Sequence, residues 1–352
     1  MIEIRTFEGE PEELADFTVR VWRQTYEGKM LITLWSEPFF RRELFDQADG
    51  REFLIAAYDG RRLVGSHPSR SLRVRLRGDE IQATWGSFIT VDPEYRRQGV
   101  ALAMQREWAR RHVERQARVN FGFQYIRSPS ALGPQFWLGQ PDRFPIIRKL
   151  RLLFRPIDHA AVSQFELHSF EAYGAKLLST VQQQPVPPRS QSDIRLYRDG
   201  EDLQGCVGLV EQAGRRADLA YLWEPPSLDR LLHCEQVSET VVLEQQGRVA
   251  GFVNYSFLEI LGRRVLRVAQ IDLIAFGTLS WHDRRRLLQA TLSRIADRGA
   301  QAAMMLWGSS YALADLLATG FLPGPREYYY IAAPMEKNLR FDNIHSLQVL
   351  LR

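Results

Sequence analysis

The sequence predicts an α/β protein of two tandem domains, each with a mixed α+β sheet flanked by helices. Segments with strand and helix periodicity alternate, and their order repeats in the second half. A Pro- and Ser-rich stretch, residues 182–193, separates the halves. The 352 residues are enough for two cores. We expect domains at 1–155 and 194–335, joined by a helix and linker at 156–193 and followed by a tail at 336–352.

The first half shows turn and periodicity signals for a hairpin over residues 53–66, because two apolar runs flank the turn pair Asp59-Gly60. Alternating or continuous apolar patterns predict the other elements. Strands are expected at 2–7, 71–78, 81–91 and 119–126, and helices at 11–22, 37–45 and 99–114.

The second half repeats this order. A hairpin over 240–257 matches the first one, since in each a turn glycine precedes Val-Gly or Ala-Gly by four or five residues. The other strands are expected at 194–200, within 263–276 (two strands), 302–308 and 326–334, and the helices at 159–181, 202–212, 283–298 and 311–321. We interpret the repeat as a tandem duplication. The alternative is two unrelated α/β domains that share a hairpin type.

Composition excludes several classes of protein. No apolar run approaches the roughly 20 residues of a membrane span, and the N-terminus MIEIRTFEGE lacks the features of a signal peptide. We therefore expect a soluble, cytoplasmic protein without membrane association. The two cysteines, Cys206 and Cys234, predict no disulfide framework, and the seven histidines show no metal-ligand spacing. We expect no metal cofactor.

The net charge of +4 comes from a chain with 42 arginines and four lysines. These basic residues are interleaved with Asp and Glu, and no Lys/Arg-rich tract marks a nucleic-acid surface. We therefore expect no specific nucleic-acid partner.

The segment VDPEYRRQGVALAM, residues 91–104, lies between a predicted strand and a helix. The first N–H groups of a helix have no internal partner, so together with the helix dipole they favour an anion such as phosphate. Gly99 and Ala101 keep side chains away from the backbone, and Arg96 and Arg97 add positive charge. The pattern indicates a pyrophosphate site made largely of backbone; the alternative is an ordinary helix start.

This segment resembles the acyl-CoA loop of the GNAT N-acyltransferase superfamily, whose pattern is Arg or Gln, two residues, Gly, one residue, then Gly or Ala. Arg96, Gly99 and Ala101 satisfy it, and Val91 and Pro93 match the preceding Val-x-Pro. The resemblance covers residues 1–155 by element order and, more weakly, 191–335. It implies a twisted sheet in each domain, mostly antiparallel and splayed open in the middle.

The resemblance also implies a site and a reaction. Acyl-CoA, here acetyl-CoA, would lie in the splay, and an amine would attack the thioester directly with the help of a general base and acid. The residues implied to contact the cofactor are Ile89, Thr90 and Val91 along the pantetheine arm, Arg96, Arg97, Gln98, Gly99, Val100, Ala101 and Leu102 around the pyrophosphate, and Ser130 in the place of a family Asn.

The sequence departs from the family where a Tyr usually protonates the leaving thiolate, since Phe136-Trp137 occupies that place. Tyr125, on the preceding strand, is a candidate acid or water-positioning group; the alternative is a half-buried core tyrosine. Ser87 is a candidate for a water relay. His67 is a candidate base, or else an exposed loop residue, and Glu27 is a candidate base, or else a solvated charge.

The second copy lacks the loop. Residues 277–291 read GTLSWHDRRRLLQAT, without a glycine at the helix start and with Trp281 and His282 near it. We expect no acyl-CoA site there.

The first functional hypothesis is an acetyl- or short-acyl-CoA-dependent N-acyltransferase acting on a small-molecule or peptide amine, as a monomer or homodimer. The second is a non-catalytic acyl-CoA-binding regulatory or scaffold protein. A third, an aminoacyl-transferase that uses charged tRNA, is disfavoured by the well-formed loop.

Overall fold

The structure is a computed structural model that describes residues 1–46, 50–86, 88–125, 131–133, 144–165, 192–307, 313–336 and 338–350. Its internal packing divides the chain into two compact units. Unit 1 comprises Met1–Lys149 and Tyr328–Ile344, and unit 2 comprises Leu150–Glu327 and His345–Arg352. Unit 1 therefore includes residues that the sequence assigns to the second domain and the tail.

Unit 1 contains a mixed sheet flanked by helices. Its elements are β1 (Ile2–Thr6), α1 (Pro11–Tyr26), β2 (Ile32–Leu34), α2 (Glu37–Phe40, continued by a π-helical turn Arg41–Phe45), β3 (Leu54–Asp59), β4 (Arg62–Leu76), β5 (Asp79–Gly86), β6 (Thr90–Val91), α3 (Val100–Glu114) and β7 (Val119–Tyr125).

The strands of unit 1 follow the order β1-β3-β4-β5-β7. All neighbours are antiparallel except β5 and β7, which run parallel. The strand beyond β7 comes from residues 328–334, which pair antiparallel with β7 along its whole length. The sheet of unit 1 is thus completed by a segment more than 200 residues away in the chain.

Helix α3 covers one face of this sheet. Met104 and Trp108 pack against Ile55, Val64 and Ile331 in a buried cluster. Side chains alternate between faces along a strand. Ser69 lies on the α3 face, where its Oγ accepts a hydrogen bond from Trp108 Nε1 at 3.2 Å.

The opposite face is covered by α1 and α2. Trp85 and Phe88 lie there, since the Phe88 ring contacts Trp35 and Phe40 near and within α2. Because β4 pairs Arg70 with Trp85, Arg70 shares this face.

Unit 2 repeats the plan. Its elements are β8 (Ile146–Pro156, from Leu150 on), α4 (His159–Phe165), β9 (Ile194–Leu196), α5 (Leu203–Gly214), β10 (Leu219–Leu222), α6 (Pro225–Leu232), β11 (Ser238–Gln245), β12 (Arg248–Leu261), β13 (Val265–Ala275), α7 (Trp281–Asp297), β14 (Ala302–Trp307), α8 (Leu313–Ala318), the first part of β15 (Leu322–Pro334) and β16 (Leu347–Gln348).

The strands of unit 2 follow the order β9-β11-β12-β13-β14. As in unit 1, one neighbouring pair, β13 and β14, is parallel. The strand beyond β14 is residues 151–156 of β8, antiparallel to it. The two units therefore share a strand order and orientation. The strand beyond the parallel pair comes from residues 328–334 in unit 1 and from residues 151–156 in unit 2.

Three predicted elements were wrong in extent. The hairpin strand and the strand at 71–78 are one continuous strand, β4, and the two strands expected within 263–276 are one strand, β13. The strand expected at 81–91 is instead broken between β5 and β6. The first two errors arise because polar residues such as Ser69 look like strand ends in sequence, although in the fold they are buried with partners.

Four elements of the described part of unit 2 were not predicted from the sequence: β8, β10, α6 and β16. The tail was expected either to dock on a domain edge or to be free. It supplies β16, which pairs parallel with β10.

Candidate active site

A bulge interrupts unit 1 where the parallel strands separate. β5 and β6 both pair with β4, through Gly86↔Ser69 and Thr90↔Ser66, so three residues on one strand stand opposite two on the other. Phe88 lies in this bulge with φ of 61°, a left-handed conformation that is uncommon outside glycine. The parallel pairing of β5 with β7 ends at Trp85↔Phe121. Beyond it β6 pairs with β4 while the end of β7 pairs with residues 328–331. This is the splay that the sequence resemblance implied.

Two glycines lie where the strands begin to separate. A Cβ on Gly86 would come within 2.8 Å of Ser69 Oγ and 2.9 Å of Asn120 Oδ1, and one on Gly122 would come within 3.0 Å of Gly86 O. A side chain at Gly122 would press on the backbone of Gly86, and one at Gly86 would displace the side chains of Ser69 and Asn120. The glycines therefore fix the geometry of the splay.

Helix α1 anchors β6. Trp22 Nε1 donates a hydrogen bond to Thr90 Oγ1 at 3.0 Å, and that hydroxyl donates to Phe88 O at 2.7 Å. Thr90 is 3% exposed, whereas Ile89 and Val91 are partly buried against the α3 core. The side chain of Thr90 thus positions the bulge.

Asp92 fixes the turn after β6. Its side chain is 2% exposed, and the carboxylate accepts hydrogen bonds from Arg20 at 3.3 Å, Arg62 at 3.2 Å and the backbone N–H of Glu94 at 3.2 Å. Because the buried charge has two cationic partners and a backbone donor, it is well compensated.

The loop then enters α3 through left-handed conformations. Arg97 has φ of 60° and Gly99 has φ of 82°. A Cβ on Gly99 would meet nothing within 4 Å. Glycine is therefore favoured here by the backbone conformation, and the space in front of it is open. The sequence-based reason, a blocked approach to the backbone, was incomplete.

The first N–H groups of α3 have no acceptor among the described residues. Gly99 precedes the helix without a side-chain cap, and the first turn holds no acidic residue. The first internal hydrogen bond runs from Ala103 N to Gly99 O at 2.9 Å, so the N–H groups of Val100, Ala101 and Leu102 precede the internal ladder. Free N–H groups at the positive end of a helix dipole form a site for an anion.

Two polar side chains of the loop, Arg96 and Gln98, hold the loop in place, whereas Arg97 faces solvent. Arg96 donates to Val91 O at 3.0 Å and to Thr25 Oγ1 at 2.6 Å, so it ties the loop to β6 and α1. Gln98 donates to Glu94 O at 2.8 Å. Arg97 is exposed, as is Leu102 at 48%. Of the two arginines, Arg96 and Arg97, it is therefore Arg97 whose guanidinium faces solvent beside the start of α3.

Tyr125 ends β7 on the same face of the sheet as Trp85, because Trp85 pairs with Phe121 four residues earlier. It is partly buried, and its ring lies 5.4 Å from that of Tyr328, its partner on the neighbouring strand. The structure therefore places this phenol on the β7 arm of the splay.

His67 was expected as a base or as an exposed loop residue, and the loop position was wrong. It lies within β4, is 3% exposed and stacks on Trp108 at 5.7 Å. Burial lowers the pKa of His67 to about 3. An imidazole of such low basicity on the α3 face is unsuited to accept a proton from an amine in the splay.

Glu27 follows the last residue of α1 and is exposed. A hydrogen bond from Arg23, at 3.0 Å, lowers the pKa of its carboxyl. The structure thus matches the solvated charge that was its alternative. Two other expected residues, Ser87 and Ser130, lie outside the described residues.

The sequence analysis did not single out Tyr26. It ends α1, and burial raises the pKa of its phenol, opposed by a hydrogen bond with the backbone of Leu132 and the nearby charge of Arg96. Helix periodicity predicts α1, but only the register of α1 on the loop shows that Tyr26 lies beside Arg96.

Within the described ranges, no cluster of three or more His, Cys, Asp or Glu side chains could hold a metal ion. No helix in that part of the chain is both long and apolar enough to span a membrane.

Residues 5–127 match the family model described as the acetyltransferase (GNAT) domain. No curated protein sequence matches the chain. Unit 1 thus contains a segment that matches a GNAT domain.

Solved structures show the same fold. A structure of Saccharomyces cerevisiae N-myristoyltransferase with bound myristoyl-CoA has a TM-score of 0.77 at 12% identity, covering 100% of this chain and 85% of that one. A probable N-acyltransferase from Enterococcus faecalis has a TM-score of 0.53 at 14% identity, covering 96% and 73%. A GCN5-related N-acetyltransferase from Kribbella flavida has a TM-score of 0.53 at 14% identity, covering 95% and 72%. Identities this low show a shared fold alone.

Proposed function

We propose that the protein transfers a short acyl group from acyl-CoA to an amine, with the reaction in unit 1. The uncapped start of α3, with Gly99 at φ of 82° and open space before it, is the observation that supports this most strongly. The N–H groups of Val100, Ala101 and Leu102 would bind the pyrophosphate, with Arg97 beside them. The edge of β6 would bind the pantetheine arm as an added strand.

In the proposed reaction, the amine nitrogen attacks the thioester carbonyl carbon. The new C–N bond forms as the C–S bond breaks, a base takes the proton lost by the amine, and the CoA thiolate leaves and accepts a proton. Tyr125, on the β7 arm of the splay, and Tyr26, beside Arg96, are two candidate phenols for that last step. Comparing Tyr125→Phe with Tyr26→Phe distinguishes them, because the variant that lost the acid shows a lower kcat with little change in KM.

The packing around Phe88 supports a short acyl group. Its ring lies 4.7 Å from Trp35, 5.1 Å from Phe40 and 5.6 Å from Trp85, and it is 4% exposed. These aromatic rings occupy the α1 and α2 face beside the bulge, where a longer acyl chain would have to enter. The myristoyl-CoA bound by the yeast enzyme makes a long chain the competing candidate.

The test measures release of free CoA thiol from acetyl-, hexanoyl- and myristoyl-CoA, each with a panel of amines. We expect turnover with acetyl-CoA. With myristoyl-CoA we expect kcat/KM to be at least about tenfold lower, because a few unfavourable contacts between the long chain and the aromatic rings suffice for a factor of ten. Phe88→Gly removes the ring and suits the positive φ, so it should raise kcat/KM for hexanoyl-CoA. Faster turnover of myristoyl-CoA by the unchanged protein would overturn the short-chain proposal. Binding of acyl-CoA without turnover of any amine would favour a regulatory or scaffold protein.

A further inference from the structure

Two arginines and one glutamate form a buried charged group beside the splay. Arg42 and Glu43 lie in the π-helical turn after α2, and Arg70 lies on β4. Their side chains are 3%, 3% and 11% exposed. Arg42 Nε donates to Glu43 Oε1 at 2.9 Å, whereas Arg70 is 3.9 Å from Glu43 Oε2, which is beyond hydrogen-bonding distance.

Arg70 is therefore the weakly bonded member of this group. Its guanidinium lies 5.7 Å from the ring centroid of Trp85, its partner across the strands. Its Nε is buried without an acceptor in the described part of the chain. Trp85 Nε1 is likewise buried without an acceptor there. A buried donor left unpaired is costly, so two such donors on residues that pair across the strands need an explanation.

Guanidinium and indole groups donate hydrogen bonds and do not accept them. A planar carboxylate fits such a pair, because arginine binds it through two parallel hydrogen bonds. Both residues lie on the face of the sheet that carries Phe88 and the α1 and α2 helices. The ring of Phe88, in the bulge, lies 5.6 Å from the ring of Trp85, so the pair lies beside the splay.

We propose that the acceptor is an aliphatic amino acid whose carboxylate binds Arg70 and Trp85 Nε1 while its amine lies several bonds away, at the splay. This inference rests on the proposed function, since it names the acceptor class of the same site. Arg70 and Trp85 are specificity-determining residues in this account and do not touch the reacting atoms.

The test uses matched amine acceptors with acetyl-CoA. For 4-aminobutanoate and butylamine, which differ by the carboxylate, we expect kcat/KM at least about 30-fold higher with the amino acid, the value of a charged hydrogen-bonded pair. Glycine and 6-aminohexanoate measure the best spacing, and 2-aminoethyl phosphate separates a carboxylate from a phosphate. A preference for the phosphate, or no preference for the amino acids, would overturn the inference.

Variants then assign the effect to the residues. Arg70→Gln should lower kcat/KM for 4-aminobutanoate about 30-fold and leave that for butylamine unchanged, and Trp85→Phe should do the same to a smaller extent. Arg70→Lys should restore part of the loss. Arg73→Gln is the control, because Arg73 lies on the same strand, is 51% exposed and pairs with Glu80. An equal loss for both acceptors in Arg70→Gln would show a structural role only.

Calorimetric titration of 4-aminobutanoate into the protein loaded with CoA separates this inference from the proposed function. If no amine is acylated but the amino acid binds and Arg70→Gln abolishes that binding, the proposed function fails and the carboxylate site stands. If amines are acylated and Arg70→Gln leaves amino-acid binding unchanged, the carboxylate site fails alone. Melting temperatures confirm that each variant is folded.

Discussion

The starts of α3 and α7 occupy the same place in the two units, each between two parallel strands, yet they differ in chemistry. α3 begins after Gly99 with no side-chain cap and no acid in its first turn. α7 begins after Ser280, whose Oγ accepts a hydrogen bond from Asp283 N at 3.2 Å. Asp283 in turn accepts from Ser280 Oγ at 2.8 Å and pairs with Arg286 at 3.0 Å.

The difference shows how one fold gains or loses a phosphate site. In α7, a cap and a carboxylate already satisfy the positive helix end, and the hydrogen bond from Ser280 lowers the pKa of Asp283 and so keeps it charged. Trp281 is 51% exposed there, with Arg285 over its ring at 4.5 Å. α3 has neither a cap nor a carboxylate in its first turn, so an external anion would have to satisfy its positive end. We therefore propose that acyl-CoA binds unit 1 and does not bind unit 2.

The largest expected effect comes from giving α3 the acid that α7 has. Ala101→Glu places a carboxylate in the first turn, where it stabilises the helix but repels the pyrophosphate. We expect the Kd for acetyl-CoA to rise at least about 100-fold, because the hydrogen bonds from the helix N–H groups to the charged pyrophosphate would be lost. Calorimetric titration measures it. Val113→Glu, at a 68% exposed position on the last turn of the same helix, is the control. An unchanged Kd in Ala101→Glu would show that the anion site is elsewhere.

A smaller effect should follow from changing the conformation before α3. Gly99→Val places a β-branched residue at φ of 82°, which we expect to cost about 1–2 kcal/mol of unfolding free energy and to weaken acetyl-CoA binding about tenfold. Gly99→Asn is the matched variant, because Asn tolerates the left-handed region. Urea unfolding and calorimetry together check both. Equal behaviour of the two variants would mean that the backbone conformation does not matter to the site.

The units also differ in the acid stability expected of them. In unit 1, burial lowers the pKa of two histidines, His67 to about 3 and His112 to about 4. In the described part of unit 2, burial lowers the pKa of one histidine, His159. Unfolded histidine titrates near 6.5. As the pH falls below 6.5, these histidines bind protons in the unfolded state before they do so in the folded state. The free energy of unfolding, which is highest above pH 6.5, therefore decreases as the pH drops.

Each of these two buried histidines should lower the unfolding free energy of unit 1 by about 1.4 kcal/mol per pH unit between roughly pH 6 and 4. Hydrogen exchange at pH 7 and pH 5 should show β4 and α3 losing protection more than β12 and α7. His67→Leu should about halve the loss in unit 1. Equal losses in the two units would contradict this account.

The sequence predicts the order of strand, loop and helix around Gly99 well because its signal is local. Arg96, Gly99 and Ala101 lie within six residues of each other. Periodicity predicts the strand before them and the helix after them. The GNAT family, the mixed sheet and the tandem form could all be predicted on this basis.

Contacts between distant segments could not be predicted. Nothing in the pattern of residues 328–334 shows that they complete unit 1, because a strand does not encode its partner locally. The pairing of Arg70 with Trp85 depends on strand register, and His67 looks exposed in sequence because it precedes Pro68. The bulge at Phe88 was missed for a different reason, since an apolar run conceals a change of backbone conformation.

The most direct test of the central claim is the stoichiometry of acetyl-CoA binding, measured by calorimetry on the full chain and on Ala101→Glu. The account predicts one site per chain, lost in the variant. Two sites would show that α7 also binds the cofactor despite Ser280 and Asp283, and one site retained in Ala101→Glu would place acyl-CoA away from α3. Either result, or no binding at all, would contradict the account.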